Sequence, residues 1–305
     1  PEDNVAGLIG GRSSHSDVVA TVTFADGSER DMHLDSRLVF DISDGCGTFS
    51  TDGGTQRVTI ASTCRTSSVS VSVVAALGDV RLTASRLFAV EWLTSVKLQL
   101  FYQDGVTEYV SSELRHRYAC AWPEPTFHSL QVKTLGTLSS GATALMGEGL
   151  LYTVSGGSLS STGSGRTLTV SMSGVVSISV VPSPDADGVA DSTTLTAVAE
   201  ADVYTFGWSL GLTASTVRTA FEASHPTTAT LTYASGYVEV ISEADKPSLI
   251  AFASSDPTTL DVTATGSLVP MQNTMHNETV VVSSTLCDGQ ATPPTSLHVN
   301  LAQYN

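Results

Sequence analysis

The chain has 305 residues, of which 41% are hydrophobic and 14% are charged, and its formal net charge is -16 at pH 7. The length fits about two or three domains, and the hydrophobic fraction is large enough to form buried cores, which excludes a disordered chain. An acidic chain without basic clusters is not expected to bind nucleic acid or anionic membranes. No apolar run approaches the roughly 20 residues that span a bilayer.

Residues 1–78 are predicted to form a first β-sandwich module, which begins with an N-terminal arm rich in glycine and serine. Val22 and Phe24 alternate with polar residues, as a half-buried strand requires. Asp26-Gly27 then predicts a hairpin, because glycine supplies the positive φ of a tight turn. Residues 69–73 alternate valine with serine, and we expect this strand to close the module.

A four-residue motif, in which an aromatic residue and one spacer precede Asp-Gly or Ser-Gly, occurs three times. It begins at Phe24, Tyr102 and Tyr233. A hairpin that recurs at intervals of tens of residues indicates tandem modules. Because a large ring recurs at one position of the repeat, we expect these three aromatics to be core residues.

The second module is predicted over residues 79–182, with apolar residues 83–93 as its first strand and residues 176–180 as its closing strand. It is about thirty residues longer than the first module. We interpret residues 120–149 as an inserted loop, because the Trp-Pro-Glu-Pro run that begins at Trp122 cannot continue a central strand. We expect Trp122 to be buried; the alternative is an exposed ring that stacks on a sugar or docks a partner chain.

The third module is predicted over residues 183–305, after a Pro-Ser-Pro boundary, with a leading linker and a third sandwich. Short strands at regular spacing with Gly-rich turns and no convincing long helix predict an all-β chain of tandem antiparallel β-sandwiches.

Four cysteines are present, and none forms a C-x-x-C pair, which argues against a zinc ribbon or a thioredoxin-like redox site. Cys46 and Cys64 flank one short β segment, so we expect a local disulfide between them; two buried thiols are the alternative. Cys120 and Cys287 are distant in sequence. The sequence leaves open whether they pair, stay free or bond to another chain.

The acidic run between the second and third modules resembles a calcium loop. Asp185, Asp187 and Asp191 are spaced as alternating oxygen ligands, and Gly188 lies at the turn. The chain departs from that pattern at the first ligand and at the bidentate glutamate position. The alternatives are therefore a Ca²⁺ ion that stiffens this joint and an ordinary acidic linker without any cofactor.

One N-glycosylation sequon, Asn277-Glu278-Thr279, makes Asn277 a candidate glycan site. The seven histidines show no metalloprotease spacing, and the chain has neither a G-x-S-x-G elbow nor a phosphate-binding glycine loop. We therefore expect no catalytic residues and no enzymatic activity.

The layout resembles tandem bacterial-immunoglobulin-like repeats of the invasin and intimin type. The matching features are the Asp-Gly turns at Gly27 and Gly105, Gly-rich turns at residues 53–54 and 163–165, and the alternating closing strands. The resemblance implies Ig-like sandwiches and an extracellular or cell-surface structural protein. Similar modules occur in flagellar hair (mastigoneme) proteins of protists, which would make the chain part of a filament.

The first functional hypothesis is a non-catalytic surface filament or stalk. It would assemble laterally and end to end with its own copies or with other extracellular proteins. One alternative is an adhesin or carbohydrate-binding module that holds glycans through residues 120–149. A viral capsid or fibre component is the second alternative.

Overall fold

The computed structural model describes residues 15–301, apart from 33–34, 53–54, 62, 121–125, 148, 163–164, 183–188, 213–215, 220–223 and 272–277. Strands dominate this part of the chain. Its helical segments are a 3-10 turn at Ser43–Gly45 and the four-residue helix α1, Lys246–Leu249. None of the described helices has the length and apolar character needed to cross a membrane.

The first unit, residues 15–90, is a two-sheet sandwich. Its strands are β1 (His15–Val18), β2 (Thr21–Thr23), β3 (Glu29–Asp31), β4 (Leu38–Ile42), β5 (Gly47–Asp52), β6 (Thr55–Ile60), β7 (Ser68–Leu77) and β8 (Val80–Ala89). One sheet has the order β1-β6-β5 and the other has the order β4-β7-β8, while β2 and β3 form a separate hairpin.

The second unit, residues 93–201, has the pairing of an immunoglobulin fold. Its strands are β9 (Leu93–Phe101), β10 (Glu113–His116), β11 (Leu130–Leu138), β12 (Thr143–Leu145), β13 (Leu150–Ser155), β14 (Ser158–Thr162), β15 (Gly165–Thr169), β16 (Gly174–Pro182) and β17 (Asp191–Ala201). Strands β9, β11, β15 and β14 form one sheet, and β13, β16 and β17 form the other. These sets correspond to the ABED and CFG sheets, and β10 adds to the outer edge of β17 in parallel.

The third unit, residues 204–301, has the same order of strands, although β18, β20 and β21 form one sheet and β23 and β24 form a separate two-stranded sheet. Its strands are β18 (Tyr204–Ser209), β19 (Thr216–Thr219), β20 (Thr228–Tyr233), β21 (Val238–Val240), β22 (Ile250–Ser254), β23 (Leu260–Val262), β24 (Leu268–Pro270), β25 (Glu278–Leu286) and β26 (Thr295–Leu301). Strands β22, β25 and β26 pair as β13, β16 and β17 do, and β19 adds in parallel to β26. The predicted all-β fold of tandem Ig-like antiparallel sandwiches is confirmed.

The first two units each contain one more strand than their alternating patterns predicted. Residues 69–73 and 176–180, expected to close their modules, lie in β7 and β16, and each of these strands pairs with the strand that follows it. Residues 80–89 and 191–201 therefore belong to the first and second units, so the boundaries expected after residues 78 and 182 move about ten to twenty residues towards the C-terminus. Period-2 alternation shows that a strand has one buried face, but it does not show whether the strand is the last of its sandwich.

Residues 120–149 are not an inserted loop, because they contain β11, a central strand. It pairs with β9 on one side and with β12 and β15 on the other. The interpretation failed because it aligned the turn at Tyr102 with the turn at Phe24. The Tyr102 turn follows β9, the first strand of its unit, whereas the Phe24 and Tyr233 turns follow strands equivalent to β11.

The repeated turn is a general device of this fold. It occurs six times in the described residues, always with a glycine of positive φ (+66° to +92°) whose N–H donates to the carbonyl three residues earlier at 2.8–2.9 Å. The glycines are Gly27, Gly105, Gly141, Gly236, Gly266 and Gly289. The ring before this turn is not always a core residue: Phe24 is 48% exposed, so its predicted core role was wrong.

Equivalent turns in the last two units hold the connector that precedes each unit. Ser139 N–H donates to Trp92 O at 2.9 Å, and Ala234 N–H donates to Val203 O at 3.1 Å. At the second of these turns the Tyr233 ring stacks on Tyr102 of the preceding unit. Among the described residues no earlier unit lies against Phe24, which explains its exposure.

Candidate functional site

The most distinctive site of the molecule is the joint between the second and third units, where six aromatic side chains meet. They are Tyr102, Tyr109, His128, Tyr204, Tyr233 and Tyr237, which we call the junction cluster. The first three come from the second unit, and the other three come from the third. All six are at most 8% exposed.

Two copies of the glycine turn bring the cluster together. Tyr102 begins the turn after β9, Tyr233 begins the turn after β20, and their rings stack at 6.3 Å between centroids. Tyr237 directly follows the second turn, and its ring centroid lies 4.4 Å from that of Tyr102 and 5.6 Å from that of Tyr233. The His128 ring meets the Tyr233 ring edge-on at 4.7 Å between centroids. Such ring pairs contribute about 0.5–1.5 kcal/mol each beyond the area they bury.

The tyrosine hydroxyls tie the two units together by hydrogen bonds. The Tyr233 hydroxyl lies 3.0 Å from Arg117 O and 2.9 Å from Glu239 Oε2, either of which can accept its proton. Glu239 also forms an ion pair with the Arg117 guanidinium, so this contact crosses the joint twice. Tyr204 donates to Asp288 Oδ2 at 2.6 Å and accepts from the N–H of Ala119 at 2.9 Å.

Burial raises the pKa of every tyrosine in the junction cluster. The ordinary value is about 10, so all five hydroxyls stay protonated at physiological pH. They therefore remain hydrogen-bond donors, and the cluster holds no tyrosinate that could act as a base.

Asp202 lies in the connector between β17 and β18 and faces the cluster. Its Oδ2 is 3.3 Å from Nε2 of His128 and 3.5 Å from the Tyr102 hydroxyl, and its Oδ1 accepts from Val203 N–H at 2.9 Å. Burial acts to raise the pKa of this carboxyl, but the contacts with His128 and Val203 outweigh it and hold the pKa below the usual value. Asp202 is thus a charged anchor for the connector.

A disulfide between Cys120 and Cys287 crosses the same joint, with the Cα atoms 5.4 Å apart. The hydrophobic core is also continuous across it. One cluster of buried residues extends from Leu93 in the second unit to Leu286 in the third, whereas Cys46, Cys64 and Val69 of the first unit form a separate small cluster. The third unit also has a separate cluster of its own, which includes Leu260, Leu268 and Leu297. The second and third units therefore share part of their buried core and a covalent bridge.

A cleft of about 180 Å³ opens beside the cluster. Its lining residues are Gln103, Arg117, His128, Ser129, Tyr237 and Glu239. Clefts that hold drug-sized ligands have volumes of roughly 300–1,000 Å³. Because Arg117 and Glu239 neutralise each other in its wall, this cleft offers neither the room nor the unpaired charge of a typical substrate site.

No protein-family model matches the chain, and no curated protein matches it. Among solved structures it is similar to the S-layer protein rSbsC, with 14% identity over 96% of this chain and 40% of that one at a TM-score of 0.25. The three N-terminal domains of the outer capsid protein Hoc of bacteriophage RB49 give 12% identity over 94% of this chain and all of that one, with a TM-score of 0.31. Invasin, a bacterial integrin-binding protein, gives 14% identity over 93% of this chain and 59% of that one, with a TM-score of 0.22.

The chain spans less than half of the length of the S-layer protein it is compared with. All of these structures are under 25% identical to it and have TM-scores under 0.5, so the likeness indicates no shared function.

The structure places the predicted site residues in separate regions. Cys46 and Cys64 are joined by a disulfide in the first unit, and neither belongs to the junction cluster. Trp122 and Asn277 lie outside the described residues, so the sugar-binding ring and the glycan site stay predictions.

The calcium hypothesis involves one described residue. Asp185 and Asp187 lie outside the described residues, whereas Asp191 accepts hydrogen bonds from the N–H groups of Leu98 at 2.6 Å and Ser192 at 2.8 Å. Within the described residues, no three His, Cys, Asp or Glu side chains are grouped to hold a metal ion. A Ca²⁺ site at this loop stays a prediction.

Sequence reasoning missed most of the junction. It singled out Tyr102, Tyr233 and the two distant cysteines, but not His128, Asp202 or Tyr237. One local signal was available for Tyr237, since a second aromatic directly follows the Ser-Gly turn. His128 and Asp202 are 74 positions apart and carry no pattern that links them.

Proposed function

We propose that the chain is a non-catalytic extracellular structural protein, a stiff rod of tandem Ig-like units that forms part of a surface filament or stalk. The observation that carries this proposal is the joint itself. The second and third units share a continuous buried cluster, an aromatic cluster and a disulfide, and this combination resists both bending and separation. Linked domains that move independently have small and more polar interfaces.

Two disulfides in one chain support an extracellular or cell-surface location. Disulfides form and persist in oxidising compartments and are rare in the reducing cytosol. The acidic balance of the chain keeps it soluble and makes nucleic acid an unsuitable partner. Its partners in this proposal are further copies of itself or other extracellular proteins.

Lateral contacts would use the outer faces of the sandwiches. In the second unit, Thr153, Ser179 and Ser192 lie side by side across β13, β16 and β17. This row carries no charge although the chain has a net charge of -16. Short uncharged side chains lose little conformational entropy when a neighbour covers them, so two acidic rods can approach along such a face.

Single-molecule force spectroscopy tests the load-bearing part of the proposal. The Cys120–Cys287 bridge encloses 167 residues, which cannot extend while it is intact. Reduction should therefore lengthen the fully unfolded chain by about 55 nm, at about 3.3–3.6 Å per residue. The variant with both cysteines replaced by alanine is the control, since reducing agent should not change its contour length by that amount.

Electron microscopy tests the assembly part. We expect rods that associate side by side or end to end as the protein concentration rises. Isolated particles at every concentration, together with independent hinge motion between the second and third units, would contradict the proposal. The force measurement thus tests the joint between the second and third units, and the micrographs test self-association.

A further inference from the structure

The short strand β21 forms one edge of a sheet in the third unit. Among the described residues it pairs only with β20, and the sheet β18-β20-β21 ends there. Its side chains Val238 and Val240 are 49% and 61% exposed. An edge strand with exposed aliphatic residues can pair with a further strand, because one side of its backbone has no partner.

The register identifies the backbone groups of β21 that lack a partner strand. Ile241 N–H donates to Ala229 O at 2.9 Å, so the next pair towards the turn, Thr230 and Val240, is not hydrogen-bonded. Hydrogen-bonded and non-hydrogen-bonded pairs alternate along an antiparallel ladder. The N–H and C=O groups of Val238 and Val240 therefore point away from β20.

The outer face of this sheet carries no charged side chain. Glu239 is the one charged residue of its three strands, and it lies on the other face, where it pairs with Arg117. Two rows of residues cross the outer face, Thr205-Thr232-Val238 and Gly207-Thr230-Val240. In a chain with a net charge of -16, such a face lets two copies meet without bringing like charges together.

The equivalent edges of the other units are less suited to pairing between copies. β3, which follows the Gly27 turn, is entirely charged, and charged side chains are a usual protection of an edge strand. β12, which follows the Gly141 turn, exposes 56% of Leu145, but the outer face of its sheet carries Lys97 and Lys133. Exposed valines and an uncharged outer face occur together at β21.

We propose that β21 pairs with β21 of a second copy as an antiparallel strand, about a two-fold axis beside Glu239. This inference rests on the proposed function and deepens it, because it assigns a lateral contact between copies to one strand. Val238 of each copy then forms a hydrogen-bonded pair with Val240 of the other. Every outward N–H and C=O group of the two strands finds a partner, as an isologous contact requires.

Glu239 lies opposite its counterpart in this register. Bare like charges at such a position would destabilise the pair of strands. The Glu239 carboxylate is held by the Arg117 guanidinium, and its Oε2 lies 2.9 Å from the Tyr233 hydroxyl of its own chain. Two neutralised ion pairs therefore meet on the inner face, while the outer face joins two uncharged surfaces.

Sedimentation equilibrium of the full chain over a wide range of concentration tests this pairing. We expect a reversible equilibrium between monomer and dimer. Val240→Lys should weaken dimerisation about tenfold or more, because it places two like charges in a contact that excludes water. Leu145→Lys is the matched control, since it makes the same change at the equivalent edge of the second unit and should leave the dimer unchanged.

A second pair of variants isolates the contribution of the backbone. Val240→Pro removes an outward N–H without removing a hydrogen bond to β20, so it should also weaken the dimer. Val240→Thr keeps this N–H and the β-branched shape, and it should dimerise as the parent does. Thermal melts followed by circular dichroism should be the same for both variants and the parent, which shows that the unit is folded.

Hydrogen–deuterium exchange locates the contact. The amides of Val238 and Val240 should exchange about fivefold or more slowly at concentrations where the dimer predominates than in the monomer. The amides of Glu239 and Ile241 already donate to β20, so their exchange should not depend on concentration.

The remaining outcomes separate this inference from the proposed function. A dimer that withstands both Val240→Lys and Val240→Pro, or that leaves the Val238 and Val240 amides unprotected, would show that another surface joins the copies. That result overturns the pairing of β21 and leaves the structural rod intact as a proposal. A chain that stays monomeric at every concentration, in sedimentation and in micrographs, would overturn both.

Discussion

Replacing Cys120 and Cys287 by alanine should destabilise the protein more than replacing Cys46 and Cys64. The first bridge closes a loop of 167 residues, and the second closes a loop of 18. In the chain-entropy description the loss of stability grows with the logarithm of loop length, which gives about 5 kcal/mol for the long loop and about 3 kcal/mol for the short one at 25 °C.

The difference of about 2 kcal/mol between the two losses of stability is a better test than either loss alone, because errors common to both bridges cancel in it. Alanine is the suitable replacement, since Cys120 is only 2% exposed and a serine there would bury an unpaired hydroxyl. The two variants also act in different places. Loss of the long bridge should affect the joint transition of the second and third units, whereas loss of the short bridge should affect only the first unit.

Urea unfolding followed by circular dichroism and tryptophan fluorescence measures both effects. Trp208 packs against Phe252 within the third unit, so its fluorescence reports the units joined by the long bridge. If the Cys46–Cys64 variant lost as much stability as the Cys120–Cys287 variant, the argument from loop length would fail. A shift below about 1 kcal/mol for the long bridge would show that the shared core alone holds the joint.

Three further predictions concern single residues. Tyr233→Phe and Tyr237→Phe both keep the ring stack, but only the first removes the hydroxyl that donates to Arg117 O or Glu239 Oε2. Tyr233→Phe should therefore cost about 1–3 kcal/mol of stability, and urea titration should show a smaller loss for Tyr237→Phe. The pKa of Asp202 lies below its unfolded value of about 3.9, so its stabilising effect is present above about pH 4 and is lost as the pH falls through the folded pKa. Acid titration of unfolding should therefore show a shallower decline in Asp202→Asn than in the parent. Gly266→Ala should destabilise more than Gly27→Ala in thermal melts: both have positive φ, but the added methyl would lie 2.6 Å from a ring carbon at the first position and in open space at the second.

Local patterns in the sequence were enough to predict many of the strands and turns, although β11 was taken for part of a loop. Val22 and residues 69–73 alternate because one face of each strand is buried, and the Asx-Gly or Ser-Gly pairs mark turns whose geometry depends on glycine itself. The all-β class, the tandem arrangement and the Gly27, Gly105 and Gly236 turns follow from these short-range rules. No distant residue is needed to decide them.

Partners that are distant in sequence could not be predicted in the same way. The residues of β8 have the composition of a first strand as much as of a last one, and only their pairing with β7 assigns them to the first unit. The sequence left open whether Cys120 pairs with Cys287, stays free or bonds to another chain. Only the packing of the second unit against the third brings the two cysteines together.

The same turn can serve opposite environments, as Phe24 and Tyr233 show. Each ring begins an identical glycine turn, but Phe24 is 48% exposed and Tyr233 is 2% exposed. The sequence by itself determined the all-β class, the glycine turns and the repeated sandwich, because those depend on backbone sterics and on which face of a strand is apolar. Only the tertiary structure decided which strands share a sheet and where the stiff joint lies, because burial of a ring depends on the unit that packs against it.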